Sequence, residues 1–400
     1  PLYRPARGGR LRRRSAFRLA LQANELLAGR EALGERKERL LPRGRLLGVE
    51  ETLARFPGAD PAGLRGAALW YDAVAPDSQR LLVEILRWAA CCGASLLNYA
   101  EAEELRVEDG KVTGVVFRDR VYGERFEVAA RWVLNCAGPW CRQIARRFDR
   151  DVPELFRPVL AFNLFLDMEP PSDAALAVAS PAPPADKAQT WFLLPWQRGV
   201  LAGTFYSPRT ELAQGGPSEA DVAAFLGELD AALHGLGIRR DQVLRVHWGW
   251  LPAEAEGSAV PSSRPLVHDH GRHGGPEGLV SVSGVKLTTA RAVAHQALAV
   301  LFQSQGRGLP APDRRIGRPP ADPPISLDRF VRLAERDRAG AHHYLRGLME
   351  RQSVVQLEDL LLRRTDWGAR PDQAAAAEEL CQSLLAELGP LAPAAATTQP

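Results

Sequence analysis

Lys286 stands in a short run, Gly284-Val285-Lys286-Leu287-Thr288-Thr289. Before it, Leu279 to Val282 read as a short buried strand, and after it Ala290 to Leu301 repeat apolar residues at helical spacing. Gly284 permits a tight turn with close backbone approach. Thr288 and Thr289 are good N-caps. A strand, a turn and a helix start leave free backbone N–H groups that attract anions and electron-rich oxygens, and Lys286 adds a full positive charge. The residues alone also fit an ordinary β-turn-α unit with a surface lysine. A second turn of the same kind, Ala137-Gly138-Pro139-Trp140, closes the apolar strand Arg131–Asn135. Ala137 and Gly138 leave room for a ligand's close approach, or they serve as a packing turn.

The elements that must position these turns can be read in order. Ser15 caps a helix through Leu27, and Leu46 to Phe56 reads as a second helix ended by Pro57-Gly58. Ala67 to Tyr71 is a strand, and Asp77 caps a helix from Ser78 to Cys92. Apolar residues cover most of that helix, which predicts burial between layers. Ser95 to Tyr99 follows as a strand, and the strand-helix-strand order predicts a parallel pair with a right-handed crossover. Asp109-Gly110 between alternating runs marks a hairpin within a meander. Residues 170–184 read as a surface loop. A hairpin turns at Gln197-Arg198-Gly199, and Ser218 with Asp221 opens a capped helix. Four helices occupy residues 327–388.

Four hundred residues allow two or three domains with a real core. A net charge of +3 gives no nucleic-acid signature, and the five cysteines show no spacing for a zinc site, so no metal is expected. The cysteine usage makes a reducing cytoplasm the simplest reading, and no run of about 18 apolar residues and no signal peptide occur, so no transmembrane helix is expected. Arg4, Arg7, Arg10, Arg12, Arg13 and Arg14 crowd the start. They suit contact with an anionic lipid surface or a phosphate, or a solvated basic loop. An opening on Pro1 without methionine suggests a fragment or a truncated product.

Several motifs in order resemble the FAD-dependent glycerol-3-phosphate dehydrogenases. Gly284 to Arg291 is similar to that family's Gly-Gly-Lys-Leu-Thr-Thr-x-Arg, with Val285 in place of the second glycine. Asn135 to Trp140 resembles its Asn-Ala-Thr-Gly-Pro-Trp, and Leu194-Pro195-Trp196 with Gly203-Thr204 resembles its Ile-Pro-Trp and Gly-Thr-Thr-Asp hairpin. Leu357 to Thr365 is similar to a helix of its C-terminal domain. The resemblance implies an α/β fold. It consists of a two-dinucleotide-binding-domain flavoprotein fold, incomplete here, with a mixed-sheet substrate domain and a C-terminal helical domain. The implied divisions are residues 1–155 and 256–309 for FAD, 156–255 for substrate, a linker at 310–324, helices at 325–390 and a disordered tail at 391–400.

The same resemblance implies FAD as cofactor, held by Ala102, Ala137, Gly138, Pro139, Trp140, Gly284, Val285, Lys286, Leu287 and Thr288. Lys286 takes the catalytic role of stabilising negative charge on reduced flavin. Substrate contacts fall to Arg264, Asn163 and Trp196, with Arg264 also readable as a structural surface arginine. The reaction is hydride transfer from a secondary alcohol, glycerol 3-phosphate or another 2-hydroxy compound, with quinone or oxygen as acceptor. Peripheral contact at the inner face of a membrane goes with it. His247 and His268 are the nearest candidates for a base. The departures are specific: no Gly-x-Gly-x-x-Gly occurs, Leu251 stands where the family has a substrate-facing arginine, and Leu160 to Asn163 replaces its Lys-Gly-Ser-His. A polypeptide beginning at Pro1 is therefore expected to hold FAD weakly. The alternative readings are an FAD-free remnant acting as an interaction module, and a membrane-surface adaptor using the N-terminal arginines.

Overall fold

A computed structural model describes residues 14–31, 41–180, 189–233, 237–304, 306–311 and 323–388. The arginines before residue 14, most of the proline-rich stretch and the 391–400 tail lie outside the described residues. The first half runs α1 (Arg14–Glu31), β1 (Arg45–Leu47), α2 (Val49–Arg55), β2 (Ala67–Leu69), α3 (Ser78–Cys91), β3 (Ala100–Glu108), β4 (Lys111–Asp119), β5 (Arg125–Ala129), β6 (Val133–Asn135) and α4 (Cys141–Phe148). It continues with β7 (Pro158–Leu166), β8 (Leu176–Ala179), β9 (Thr190–Trp196), β10 (Gly199–Pro208), α5 (Glu219–Ala232), β11 (Val243–Pro252), β12 (Leu266–Asp269), β13 (Leu279–Ser283) and α6 (Ala290–Gln303). The last helices are α7 (Leu327–Arg336), α8 (Arg338–Gln352) and α9 (Pro371–Leu388), with a π turn at Asp359–Arg364 before α9.

Contacts divide the chain into one unit of Pro1–Ala73 and Glu101–Pro310 and another of Val74–Ala100 and Ala311–Pro400. In the first unit, β13 lies between β12 and β6, parallel to β6 and antiparallel to β12. One face of this sheet buries Val280 and Val282 against Val293, Ala297 and Leu301 of α6. The other face places Leu279 against Phe148 of α4 and Val112 and Val115 of the β3-β4-β5 meander. Asp109 (φ 49°) and Gly110 (φ 76°) make the two-residue turn of that meander, as their identities predict. The larger sheet has the order β11-β7-β10-β9-β8. It buries Phe162, Leu164, Trp191 and Leu193 against Val222, Phe225 and Leu229 of α5. That helix starts at the expected capping box, Ser218 with Asp221.

Several expectations are corrected. Leu46 and Leu47 are strand, not helix, because they pair with Ala68 and Ala67, and the helix starts only at Val49. β2 accordingly pairs antiparallel with β1, so the expected parallel pair does not form. Residues 95–99 are not a strand: among the described residues no strand flanks them to complete a ladder. Tyr99 turns the chain at φ 55°, and its hydroxyl donates to Asp359 Oδ2 at 2.9 Å while Asn98 Nδ2 donates to the Ser353 carbonyl at 2.9 Å. Residues 170–184 contain β8, which pairs as an edge with β9.

The second unit buries Phe330, Leu345, Leu348, Trp367, Cys381 and Leu384. Phe330 stacks on Trp367 at 4.4 Å. α3 belongs to this unit through a polar seam: Arg80 Nη1 donates to Gln352 Oε1 at 2.7 Å and Arg80 pairs with Glu84. The prediction that α3 is buried all round does not hold, since Leu82, Ile85 and Trp88 are 49%, 47% and 40% exposed.

Candidate functional site

β6 and β13 run parallel with Asn135 opposite Ser281, so their carboxyl ends lie level. The turns at 137–140 and 284–289 therefore emerge side by side, which is where open α/β sheets bind ligands. Gly138 sits at φ 57° with nothing within 4 Å of the space a Cβ would take. Gly284 sits at φ 73°, and a Cβ there would come within 2.8 Å of the Arg264 carbonyl oxygen. The chain before β12 thus forms a wall of the same turn and brings Arg264 to it.

Trp140, Leu287 and Val285 are 56%, 51% and 48% exposed on this edge. Pro139 is half-buried and Thr288 exposed. Thr289 does not cap α6 by its side chain; its hydroxyl donates to the Lys286 carbonyl at 3.2 Å and closes a short 3-10 turn. Among the described residues, no hydrogen bond engages the N–H groups of Val285 or Lys286. Neither the Lys286 nor the Arg264 side chain has a carboxylate partner among them. Uncommitted donors, two cations and exposed apolar side chains fit a ligand that joins a flat ring to anionic groups. The FAD implied by the resemblance has those features. Ala102 is not brought to this edge. It packs into the cluster of Val112, Val115, Phe148 and Leu279, and its carbonyl accepts from Arg147 at 3.0 Å.

The second surface is the face of the five-stranded sheet opposite α5. Asn163 stands in the middle, paired across the strands with Gly203 and His247. Thr204 Oγ1 donates to Asn163 Oδ1 at 3.0 Å, which leaves the Asn163 amide N–H groups available. Arg245 is two residues from His247 and so shares its face. It is half-buried and makes no ion pair or hydrogen bond among the described residues. Burial, and then the Arg245 charge, push the His247 pKa down from its ordinary value. The motif reading missed Arg245; its alternation with His247 along an exposed strand was the available signal. Leu251 lies opposite Val159 near the strand's end, where it offers no charge.

Trp196 is not gathered with Asn163. It ends β9 at the hairpin and lines a cavity of about 430 Å³ with Glu169, Pro195 and Arg198. Four residues of strand separate its row from that of Asn163, roughly 13 Å at about 3.3 Å per residue. His268 is not on the open edge either. Its ring stacks on His273 at 4.4 Å and meets His270 edge-on at 4.7 Å. Burial is the largest cause that lowers its pKa. Among the described residues no group of His, Cys, Asp and Glu is arranged to hold a metal ion, and no helix is long and apolar enough to cross a membrane.

Residues 6–299 match the family model described as FAD dependent oxidoreductase. The chain belongs to that family. Among its relatives, a mitochondrial glycerol-3-phosphate dehydrogenase of Arabidopsis thaliana is 30% identical over 295 residues, 72% of this chain and 44% of its own length. A probable mitochondrial glycerol-3-phosphate dehydrogenase of Caenorhabditis elegans is 28% identical over 276 residues, 67% of this chain and 37% of its own. The chain thus spans less than half the length of these relatives. A solved structure, the glycerol-3-phosphate dehydrogenase from Bacillus halodurans complexed with FAD, is similar in fold with a TM-score of 0.62. It shares 18% identity and covers 88% of this chain and 81% of its own.

Proposed function

We propose that this chain binds FAD along the carboxyl edge of β6 and β13 and serves the oxidation of a secondary alcohol that carries an anionic group. Glycerol 3-phosphate or another 2-hydroxy compound would be the substrate, and quinone or oxygen the final acceptor. The observation that carries the reading is the pair of level turns, 137–140 and 284–288, with the cations Lys286 and Arg264, which have no carboxylate partner among the described residues, beside them.

Ala137, Gly138, Pro139 and Trp140 would hold one part of the cofactor, and Gly284, Val285, Lys286, Leu287 and Thr288 another. FAD bound there would supply the hydride acceptor. Lys286 keeps a positive charge at the edge where negative charge must be held. Arg264 and Arg245 give an anionic substrate a cation to meet. The Asn163 amide donates a hydrogen bond to a substrate oxygen. His247, kept neutral by its lowered pKa, accepts the hydroxyl proton on a ring nitrogen. Residues 156–255 would then form the substrate side of the site.

The test is the visible spectrum of the purified protein before and after anaerobic addition of glycerol 3-phosphate. Flavin bands that bleach support cofactor and substrate together. Bands that stay oxidised discard this substrate and send the search to other hydroxy acids and polyols. Absence of flavin after incubation with excess FAD refutes the reading.

A further inference from the structure

Three buried polar side chains, Asn135, Ser281 and His270, and the half-buried Asp149, which also pairs with Arg150 at 3.1 Å, lie behind the proposed cofactor edge, and none of them is needed to touch a ligand. Asn135 Nδ2 donates to the Cys141 carbonyl at 2.7 Å and to Ser281 Oγ at 2.9 Å. The Ala137 N–H donates to Asn135 Oδ1 at 3.3 Å. His270 Nε2 lies 2.9 Å from Ser281 Oγ, and His270 Nδ1 lies 2.8 Å from Asp149 Oδ2. His270 and Ser281 are 0% exposed and Asn135 is 4% exposed.

The chemistry of the end groups fixes the direction of every bond. A carbonyl only accepts and a backbone N–H only donates, so Cys141 and Ala137 together set the Asn135 amide orientation. Its second N–H must then enter Ser281 Oγ as an acceptor. The Ser281 hydroxyl hydrogen is left for His270 Nε2, which must be unprotonated to accept it. His270 Nδ1 therefore carries the proton and donates to the Asp149 carboxylate. A doubly protonated His270 would leave the Ser281 hydroxyl hydrogen with no acceptor among the described residues, and both side chains are fully buried.

We infer that Asp149, His270, Ser281 and Asn135 form a one-directional relay, buried from His270 to Asn135, that positions the 137–140 turn for the cofactor. Asn135 grips that turn at both ends, at the Ala137 N–H and the Cys141 carbonyl. Ser281 ties the grip to β13, whose own end opens into the turn at Gly284. His270, held by Asp149 of the loop after α4, orients the Ser281 hydroxyl. The relay is thus the device that keeps the two turns in register. It acts through Asn135 and not on the ligand, so its members are positioning residues. The inference rests on the proposed cofactor edge for its purpose, but not for its geometry.

The experiment compares the full chain with Ser281→Ala, which removes one oxygen, and with Val293→Ala, which cuts a buried contact of α6 on the far face of the sheet. Three readouts are taken: the nitrogen-15 spectrum of the histidines, amide hydrogen exchange of residues 136–141, and FAD affinity by fluorescence. We expect one histidine locked with its proton on Nδ1 in the parent chain. In Ser281→Ala we expect exchange at 136–141 to rise at least tenfold and FAD affinity to fall about tenfold. Val293→Ala, though destabilised, should leave both unchanged. A His270 protonated on Nε2, or exchange at 136–141 that rises equally in both variants, overturns the relay. A parent chain that binds no FAD refutes the proposed function, while the spectrum and the exchange still decide the relay. If Ser281→Ala does not fold, the parent spectrum alone decides the protonation pattern on which the relay stands.

Discussion

Gly284→Ala is the sharpest probe of the edge geometry, because Gly138→Ala provides its internal control. Both glycines lie in the left-handed region, at φ 73° and φ 57°. An L-residue held there costs about 1–2 kcal/mol. At Gly138 that is the whole cost, since nothing stands within 4 Å of the new methyl group. At Gly284 the methyl would also meet the Arg264 carbonyl oxygen at 2.8 Å and the Pro265 Cα at 3.2 Å. Those are backbone atoms ahead of β12 and do not rotate aside. Relieving that overlap requires a backbone shift, which core insertions price at about 1–3 kcal/mol more. The expected losses are therefore about 1–2 kcal/mol for Gly138→Ala and about 2–5 kcal/mol for Gly284→Ala. At about 2–4 °C per kcal/mol for a unit of this size, the second variant should melt several degrees below the first. Scanning calorimetry at one pH measures both. Equal shifts in the two variants would refute the claim that the chain before β12 is a rigid wall of the turn.

Three further expectations concern charge and buried hydrogen bonds. Burial alone would raise the Asp221 carboxyl, but hydrogen bonds from Ser218, Ser207 and Arg209 outweigh it and hold its pKa well below 3.8. A folded-state pKa below the unfolded one stabilises at pH above about 4 and is lost as pH falls through it. Asp221→Asn should therefore cost about 1–2 kcal/mol at pH 7 and flatten the acid limb of the urea midpoint; an unchanged limb counts against it. In the second unit, Asp359 Oδ2 accepts from Tyr99 Oη and the N–H groups of Val355 and Gln356, each at 2.9–3.0 Å. Asp359→Ala strands those donors and should cost about 3–5 kcal/mol, read from denaturant unfolding, whereas a loss under about 1 kcal/mol would show the hub to be slack. Arg245→Ala should raise the His247 pKa toward 6.5, because a neighbouring positive charge is one cause of its depression. The depressed value means His247 contributes stability above pH about 6.5 that is lost as pH falls, and an NMR titration unmoved by the substitution would separate the two residues.

Much of the edge was legible in the chain itself. Gly284 and Gly138 announced turns because few other residues adopt their backbone, and the strand before each is apolar enough to demand burial. Asp109-Gly110 and Ser218 with Asp221 acted locally, and local chemistry decided them. The misreadings share a different cause. Residues 95–99 have the composition of a strand, but a strand needs a neighbour, and their side chains bond to Ser353 and Asp359 instead. Leu46 and Leu47 suit either state, and pairing with β2 made the choice.

The sequence by itself determined the turns at Asp109-Gly110, Gly138 and Gly284, the capped start of α5 and which residues carry charge, because those depend on a few adjacent side chains. Only the tertiary structure decided which of these residues meet. Parallel pairing of β6 with β13 made two turns, far apart in sequence, into one edge. Cross-strand register set His247 and Arg245 beside Asn163 and left Trp196 at the hairpin end. Burial turned Asn135, whose motif says nothing of its partners, and Ser281 and His270 into one connected chain, because polar groups shut away from water must find each other.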